Sequence, residues 1–312
     1  MKLGLWRIRY YYEWLPRDGR EIGFALAFRK HQNLLRSWEA PRCMPPAPVK
    51  RGDNPISIHA LTGEFHAHLT CFCLYSLLQT ADVPVAPVVH EDGTLKNNQR
   101  EQLRRIIPTV RFVSVHEAES LVDCSFPRNR FPALRIMRDR LHLMRKLLDV
   151  HAGKTEPTLF VDSDVFFYRN PDYLVEWLRR GREPIYMLDY QNAYGYEPAV
   201  LESVYGKPMP PRVNTGLCGF HSPTIDWDKL EFWAGRLLEA AGVNHFSEQA
   251  LTAMAIGDRK SDTAPSHDYM ISPGLAEIRN PSAVMHHFVV PSRTWYYTEA
   301  IPAFLKKLDA WK

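Results

Sequence analysis

The chain is poor in cysteine and has no long apolar run. Its five cysteines, Cys43, Cys71, Cys73, Cys124 and Cys218, are odd in number and contain no C-x-x-C pair. That excludes a disulfide framework and a thiolate zinc site, and a reducing cytoplasm is the simplest setting. The first twenty residues are interrupted by Arg7, Arg9, Glu13, Arg17 and Asp18, so they lack the apolar centre of a signal peptide. No window reaches the length needed to span a bilayer. Charge of one sign is also scarce: 39 basic residues face 35 acidic ones, and a net charge of +4 gives no support to a nucleic-acid partner. No internal repeat and no low-complexity segment is evident.

What is there is a chain of 312 residues, 45% of them apolar, enough to bury one large core or two modest ones. Aromatic and basic residues interleave over Trp6–Trp14 and Phe24–Lys30. Such a segment suits either a helix packed on the core or peripheral contact with a membrane surface. Five prolines between Pro41 and Pro55 read as a linker or meander. The expected organisation is therefore a helical and proline-rich extension over 1–54 and a main domain over 55–312.

Within that domain apolar runs alternate with helical patterns. Strands are expected at 56–61, 83–89 and 110–115, with helices at about 64–80 and 95–107 between them. The expected fold class is α/β, a mostly parallel sheet with flanking helices. Met137, Leu141, Met144 and Leu148 recur at helical spacing and predict one helix that stops at Gly153. A short strand over 158–161 then runs into Asp162-Ser163-Asp164, and Val165-Phe166-Phe167 continue it. Asn170 is expected to cap the following helix, Asp226 to cap one ending at Gly242, and Ser247 to cap one ending near Gly257. Further apolar runs lie at 185–188, followed by Asp189, and at 217–220.

Alternate side chains of a strand share a face, so Asp162 and Asp164 are expected to project together. Two adjacent carboxylates repel unless a cation lies between them, and hard Mg²⁺ or Mn²⁺ would complete its shell with phosphate oxygens and water. The competing reading is a pair of turn residues at a strand end.

The segments 159–167 (LFVDSDVFF), 213–217 (VNTGL) and 247–251 (SEQAL) resemble, in order and spacing, the GT-A glycosyltransferases, over roughly Pro55–Trp295. The resemblance is strongest to members similar to family 8. It implies a GT-A type sheet, a nucleotide-diphosphate sugar donor, an acceptor that is a carbohydrate, a lipid-linked species or a protein, and Mn²⁺ or Mg²⁺ held by Asp162 and Asp164. It also implies a late histidine as a further metal ligand, for which His287 is preferred and His286 competes. A late basic residue toward the diphosphate would be Arg293, although this chain reads Arg293-Thr294-Trp295 where such members have Lys-Pro-Trp.

The remaining candidates follow from position. Arg138, Arg140 and Lys146 precede the acidic strand and are either partners of the diphosphate or a solvated basic face. His59 and Asp92 stand at the ends of the first two strands, where ligands bind in open α/β sheets, and Asp92 is a candidate for base or ribose. Asn214-Thr215-Gly216 offers an amide and a close backbone approach suited to sugar hydroxyls, or forms a plain turn. Glu248 and Gln249 are candidates for the reacting centre, and Asp189 for the donor-sugar pocket. Two other functions stay open: a nucleotidyltransferase, for which the glycine-rich phosphate loop is missing at 59–63, and a non-catalytic carbohydrate-binding protein of the same fold.

Overall fold

The computed structural model describes residues 13–257 and 259–309. The chain divides into two compact units. The smaller comprises Met1–Pro45, Ser272–Pro281 and Phe288–Lys312, and the larger comprises Pro46–Ile271 and Ser282–His287. The boundary at Pro45 and Pro46 falls inside the proline-rich stretch. Among the described residues no helix is long and apolar enough to cross a membrane. Residues 6–12 of the aromatic and basic segment lie outside the described residues.

In the smaller unit, α1 (Leu15–Ile22) and α2 (Phe24–Glu39) are separated by Gly23, whose φ of 84° ends the first helix. The unit is tied together by Arg29, which donates to the Thr298 carbonyl at 2.7 Å, and by Glu299, which faces both Arg29 and Arg279.

The larger unit carries seven strands in the order β3-β2-β1-β4-β7-β6-β8. They are β1 (Ile56–Thr62), β2 (Val85–Glu91), β3 (Arg111–Val113), β4 (Pro157–Val161), β6 (Ile185–Leu188), β7 (Val213–His221) and β8 (Asp262–Thr263). Pairing is parallel throughout except at β7, which runs antiparallel to both neighbours. A second sheet of three strands is ordered β5 (Val165–Phe167), β10 (Met285–His287), β9 (Tyr269–Ile271). Flanking helices alternate with the strands, as the sequence pattern requires: α3 (Ala67–Thr80), α4 (Asn97–Ile106) and α5 (Val115–Ser125). Helix α3 is buried from Ala67 to Leu78, which fits a segment apolar on all sides. It packs on the small sheet: Phe72 stacks on Phe166 and the Ser76 hydroxyl accepts from the Phe167 amide at 3.1 Å.

Three local expectations are corrected. The stripe Met137 to Leu148 does not lie on one helix. Helix α6 (Pro132–Arg140) stops at Leu141, which is extended (φ −131°, ψ 107°), a 3₁₀ turn covers His142–Lys146, and α7 is only Leu148–His151. The apolar side chains still reach one core, because a 3₁₀ turn keeps residues three apart on one face. Asn170 does not cap α8 (Asp172–Arg180): its side-chain Oδ1 accepts from the Asp82 amide at 2.9 Å and its Nδ2 donates to Asp172 Oδ1. Ser247 is the first residue of α11 (Ser247–Gly257), and its hydroxyl points back to accept from the Asn244 amide at 2.9 Å. Asp226 does cap α10 (Trp227–Ala241), accepting from the Lys229 amide at 3.0 Å. Between α8 and α10, α9 spans Pro198–Tyr205.

Candidate active site

Asp162-Ser163-Asp164 is a turn, not a strand segment. Strand β4 ends at Val161, and the chain leaves the large sheet to enter the small one at Val165. The alternation of strand side chains therefore does not bring the carboxylates together. Strand pairing does so instead: Val165 lies opposite His287 in the antiparallel pair of β5 and β10, which sets the His287 ring beside the residue before Val165. His287 Nε2 lies 3.2 Å from Asp164 Oδ1 and 3.7 Å from Asp162 Oδ2. The Asp162 amide is fixed at the other end by donating to the Gly216 carbonyl at 2.7 Å.

One ligand atom from each of Asp162, Asp164 and His287 falls within 4.8 Å of the others. Two carboxylate oxygens and one imidazole nitrogen, with the rest of the shell open, fit a divalent cation such as Mn²⁺ or Mg²⁺. Burial would lower the pKa of His287, but the charges of Asp164 and Asp162 outweigh it and raise the pKa. The neighbouring His286 is turned the other way and meets the Tyr168 ring, centroids 4.5 Å apart.

Gly216 is where the sequence expected room for sugar hydroxyls. The space is taken by the His287 ring: a Cβ on Gly216 would stand 2.0 Å from His287 Cε1. Its amide donates to Asn214 Oδ1 at 2.8 Å, and Asn214 Nδ2 donates to Asp189 Oδ2 at 2.7 Å. Both Asn214 and Asp189 are buried, so this pair is held as one unit beside the Asp162, Asp164 and His287 cluster.

Lys146 joins the acidic turn to α11. Its ammonium lies 2.9 Å from Asp162 Oδ1, 3.7 Å from Glu248 Oε2 and 3.3 Å from Thr215 Oγ1, and it sits 4.9 Å from the centroid of the Phe160 ring. Burial opposes its charge, yet Asp162 and Glu248 raise its pKa, so it is an ammonium. Glu248 is buried and receives hydroxyl hydrogen bonds from Thr215 (2.9 Å) and Thr252 (3.0 Å). Burial raises its pKa against the lowering effect of Lys146 and Thr215.

The structure thus brings Asp162, Asp164, His287, Lys146, Asn214, Asp189 and Glu248 into one neighbourhood. Gln249 instead donates to the Ala193 carbonyl at 2.8 Å. Asp92 accepts from the Thr94 amide and hydroxyl and leans over Gly63, where an added Cβ would meet it at 1.9 Å. His59 is inside the sheet, with Nδ1 at 2.9 Å from His90 Nε2. Arg293 belongs to the smaller unit, at the start of the short helix Arg293–Trp295. Arg138 is withdrawn from any part in holding a diphosphate: it is buried and clasps both oxygens of Asp149, with Glu119 on its third nitrogen. Arg140 is exposed. Two residues of the site escaped sequence reasoning. Thr252 lies one helical turn after Glu248, a spacing that offered the signal, whereas Phe160 under the ammonium offered none beyond its place in a strand.

The architecture is that of the GT-A glycosyltransferases. No protein-family model and no curated protein sequence matches the chain. Solved structures do. Mouse xyloside xylosyltransferase 1 in its apo form superposes with a TM-score of 0.52 at 13% identity, over 76% of this chain and 99% of its own. The galactosyltransferase LgtC, solved with donor and acceptor sugar analogues, gives 0.54 at 13% identity, over 82% and 95%. The bifunctional glycosyltransferase WbbM gives 0.55 at 12% identity, over 84% of this chain and 51% of its own. At such identities the likeness establishes the fold.

Proposed function

We propose that the protein is a metal-dependent glycosyltransferase that moves a sugar from a nucleotide-diphosphate donor to an acceptor hydroxyl. The observation that carries this reading is the convergence of Asp162, Asp164 and His287 within 4.8 Å, on a GT-A fold, beside a buried lysine and glutamate. Asp162, Asp164 and His287 would hold Mn²⁺ or Mg²⁺, which when bound acts as a Lewis acid toward the leaving diphosphate. Lys146 contributes a positive charge beside Asp162. Asn214 and Asp189, locked to each other, present the donor-sugar pocket with one amide hydrogen and one carboxylate oxygen already oriented. Glu248 and Gln249, in the first turn of α11, would serve the reacting centre. Asp92 remains assigned, by its place at the end of β2, to the base or ribose, with His59 in the neighbouring strand β1. The acceptor would be a carbohydrate, a lipid-linked glycan or a protein hydroxyl. For a lipid-linked acceptor, a cytoplasmic enzyme would meet the membrane peripherally through Phe24 and Phe28, which are 62% and 43% exposed.

The test is donor turnover with and without EDTA across a set of nucleotide sugars. The expected result is metal-dependent release of nucleoside diphosphate, lost by about 10²- to 10³-fold in Asp164→Ala. Full activity in that variant, or turnover untouched by EDTA, sinks the metal role. Release of pyrophosphate would mean a nucleotidyltransferase, and donor binding by calorimetry without turnover would mean a binding protein.

A further inference from the structure

The Lys146 ammonium is bonded to Asp162 Oδ1 while Asp162 Oδ2 faces His287, so a divalent cation in the triad would share this carboxylate with the ammonium. Its hydrogen bond to Asp162 Oδ1 is its shortest contact, while Glu248 Oε2 and Thr215 Oγ1 stand farther off, at 3.7 and 3.3 Å. On the Glu248 side lies a small cavity of about 10 Å³, lined by Lys146, Thr215, Cys218, Glu248 and Thr252 among others. Glu248 is buried, already oriented by Thr215 and Thr252, and has no closer cation than Lys146 among the described residues. The lysine therefore has two anionic partners of unequal closeness, and free space beside the more distant one.

We propose that Lys146 is an exchangeable internal cation: without metal it neutralises Asp162, and metal binding transfers its ammonium to Glu248 and the adjoining cavity. The inference rests on the metal-site reading above. It makes Glu248 a positioning residue for the metal site, although its carboxylate is not one of the ligands. It also links occupation of the acidic turn to a short, tight Lys146–Glu248 pair at the head of α11, where the acceptor would arrive. One ion pair breaks as another forms, and the net charge of the site rises only by that of the incoming cation.

The experiment is calorimetric titration of the full chain with Mn²⁺ alone, without nucleotide. Lys146→Met removes the competitor and is expected to tighten Mn²⁺ binding by about tenfold, and Glu248→Gln removes the refuge and is expected to weaken it by about tenfold. The double variant separates exchange from simple charge effects. In the Lys146→Met background Glu248→Gln is expected to change nothing, because no ammonium is left to relocate, whereas plain electrostatics would weaken binding again. Cys218→Met, which fills the cavity without altering charge, is expected to weaken Mn²⁺ binding. Equal effects of Glu248→Gln in both backgrounds, or unchanged affinity in Cys218→Met, overturn the exchange. If Lys146→Met does not fold, unchanged affinity in Glu248→Gln or Cys218→Met does the same. Absence of Mn²⁺ binding by the wild-type protein overturns the metal-site reading itself and the exchange with it.

Discussion

Two buried cationic clusters lie in the larger unit, and they are built to different standards. Around Arg138 each guanidinium nitrogen donates: Asp149 accepts two hydrogen bonds, Glu119 a third, and Arg145 reaches the same Asp149 at 3.0 Å. Arg135 next to it is fully buried and clasps Glu119, Asp123 and the Phe126 carbonyl. Around Lys146 one contact is short, two are long, and a cavity adjoins. A planar guanidinium with carboxylates on its edges makes a saturated joint that has no reason to move. A point-charge ammonium between two unequal acids has somewhere else to go. The first cluster fixes α6 to α5 and α7, and the second is left incomplete where chemistry is expected.

The sharpest way to break this contrast is at Arg138. Arg138→Met leaves the 1%-exposed carboxylate of Asp149 with Arg145 alone and is expected to cost about 3 kcal/mol of stability, read by denaturant unfolding, while donor turnover per folded molecule stays within a few-fold. Loss of turnover with stability intact would place Arg138 in the site after all. Gly216→Ala probes the opposite cluster: its Cβ would press on the His287 ring, so Mn²⁺ affinity is expected to fall by about 10- to 100-fold. An unchanged titration would show that His287 yields without losing its place.

Acid titration probes a third kind of buried group. Burial holds His90 and His151 down at about 3, far below an ordinary histidine, and His59 is lowered for the same reason with His90 adding to it. All three are neutral when folded. Unfolding lets them take up protons, so the stability tied to their neutrality is present above pH 6.5 and drains as pH falls toward 3, by up to about 1.4 kcal/mol per pH unit for each histidine. Melting temperatures from pH 7.5 to 4.5 should show this slope, and it should lessen in His90→Asn. The smallest effect expected is that of Thr252→Val, which removes one hydrogen bond to Glu248 and should cost about 1 kcal/mol in chemical denaturation. A loss several times larger would mean that Glu248 depends on Thr252 for its burial.

Much of the frame was legible because it is locally encoded. The alternation that places β1, α3, β2, α4 and β3 is periodicity alone, and the acidic triplet after an apolar strand marked the site at once. The late histidine and the 247–251 segment came by resemblance, and the structure sets His287 and Glu248 near the acidic turn. What failed to show was set by partners distant in sequence. Nothing in 159–167 says that the chain changes sheets at Asp162, because both flanks read equally well as one strand. The pairing that decides it involves His287. The break at Leu141 was hidden because a 3₁₀ turn and an α-helix bury nearly the same residues over one turn. Arg138 and Lys146 look alike in the sequence, and only Asp149, brought round on α7, commits the first of them to a structural joint.

Strand β10 is the middle strand of the small sheet and also delivers His287 to the acidic turn. Assembly of that sheet and completion of the Asp162, Asp164 and His287 cluster are consequently one event in the life of the chain. During synthesis the two aspartates leave the ribosome long before their histidine, and a nascent chain holding only the first strands has half a site and an unpaired edge at Val165–Phe167. A contact of such high sequence separation forms late and slowly. If these three residues hold a cation as proposed, its capture would report on that late stage of folding, and a cation in the surroundings would favour its completion by mass action.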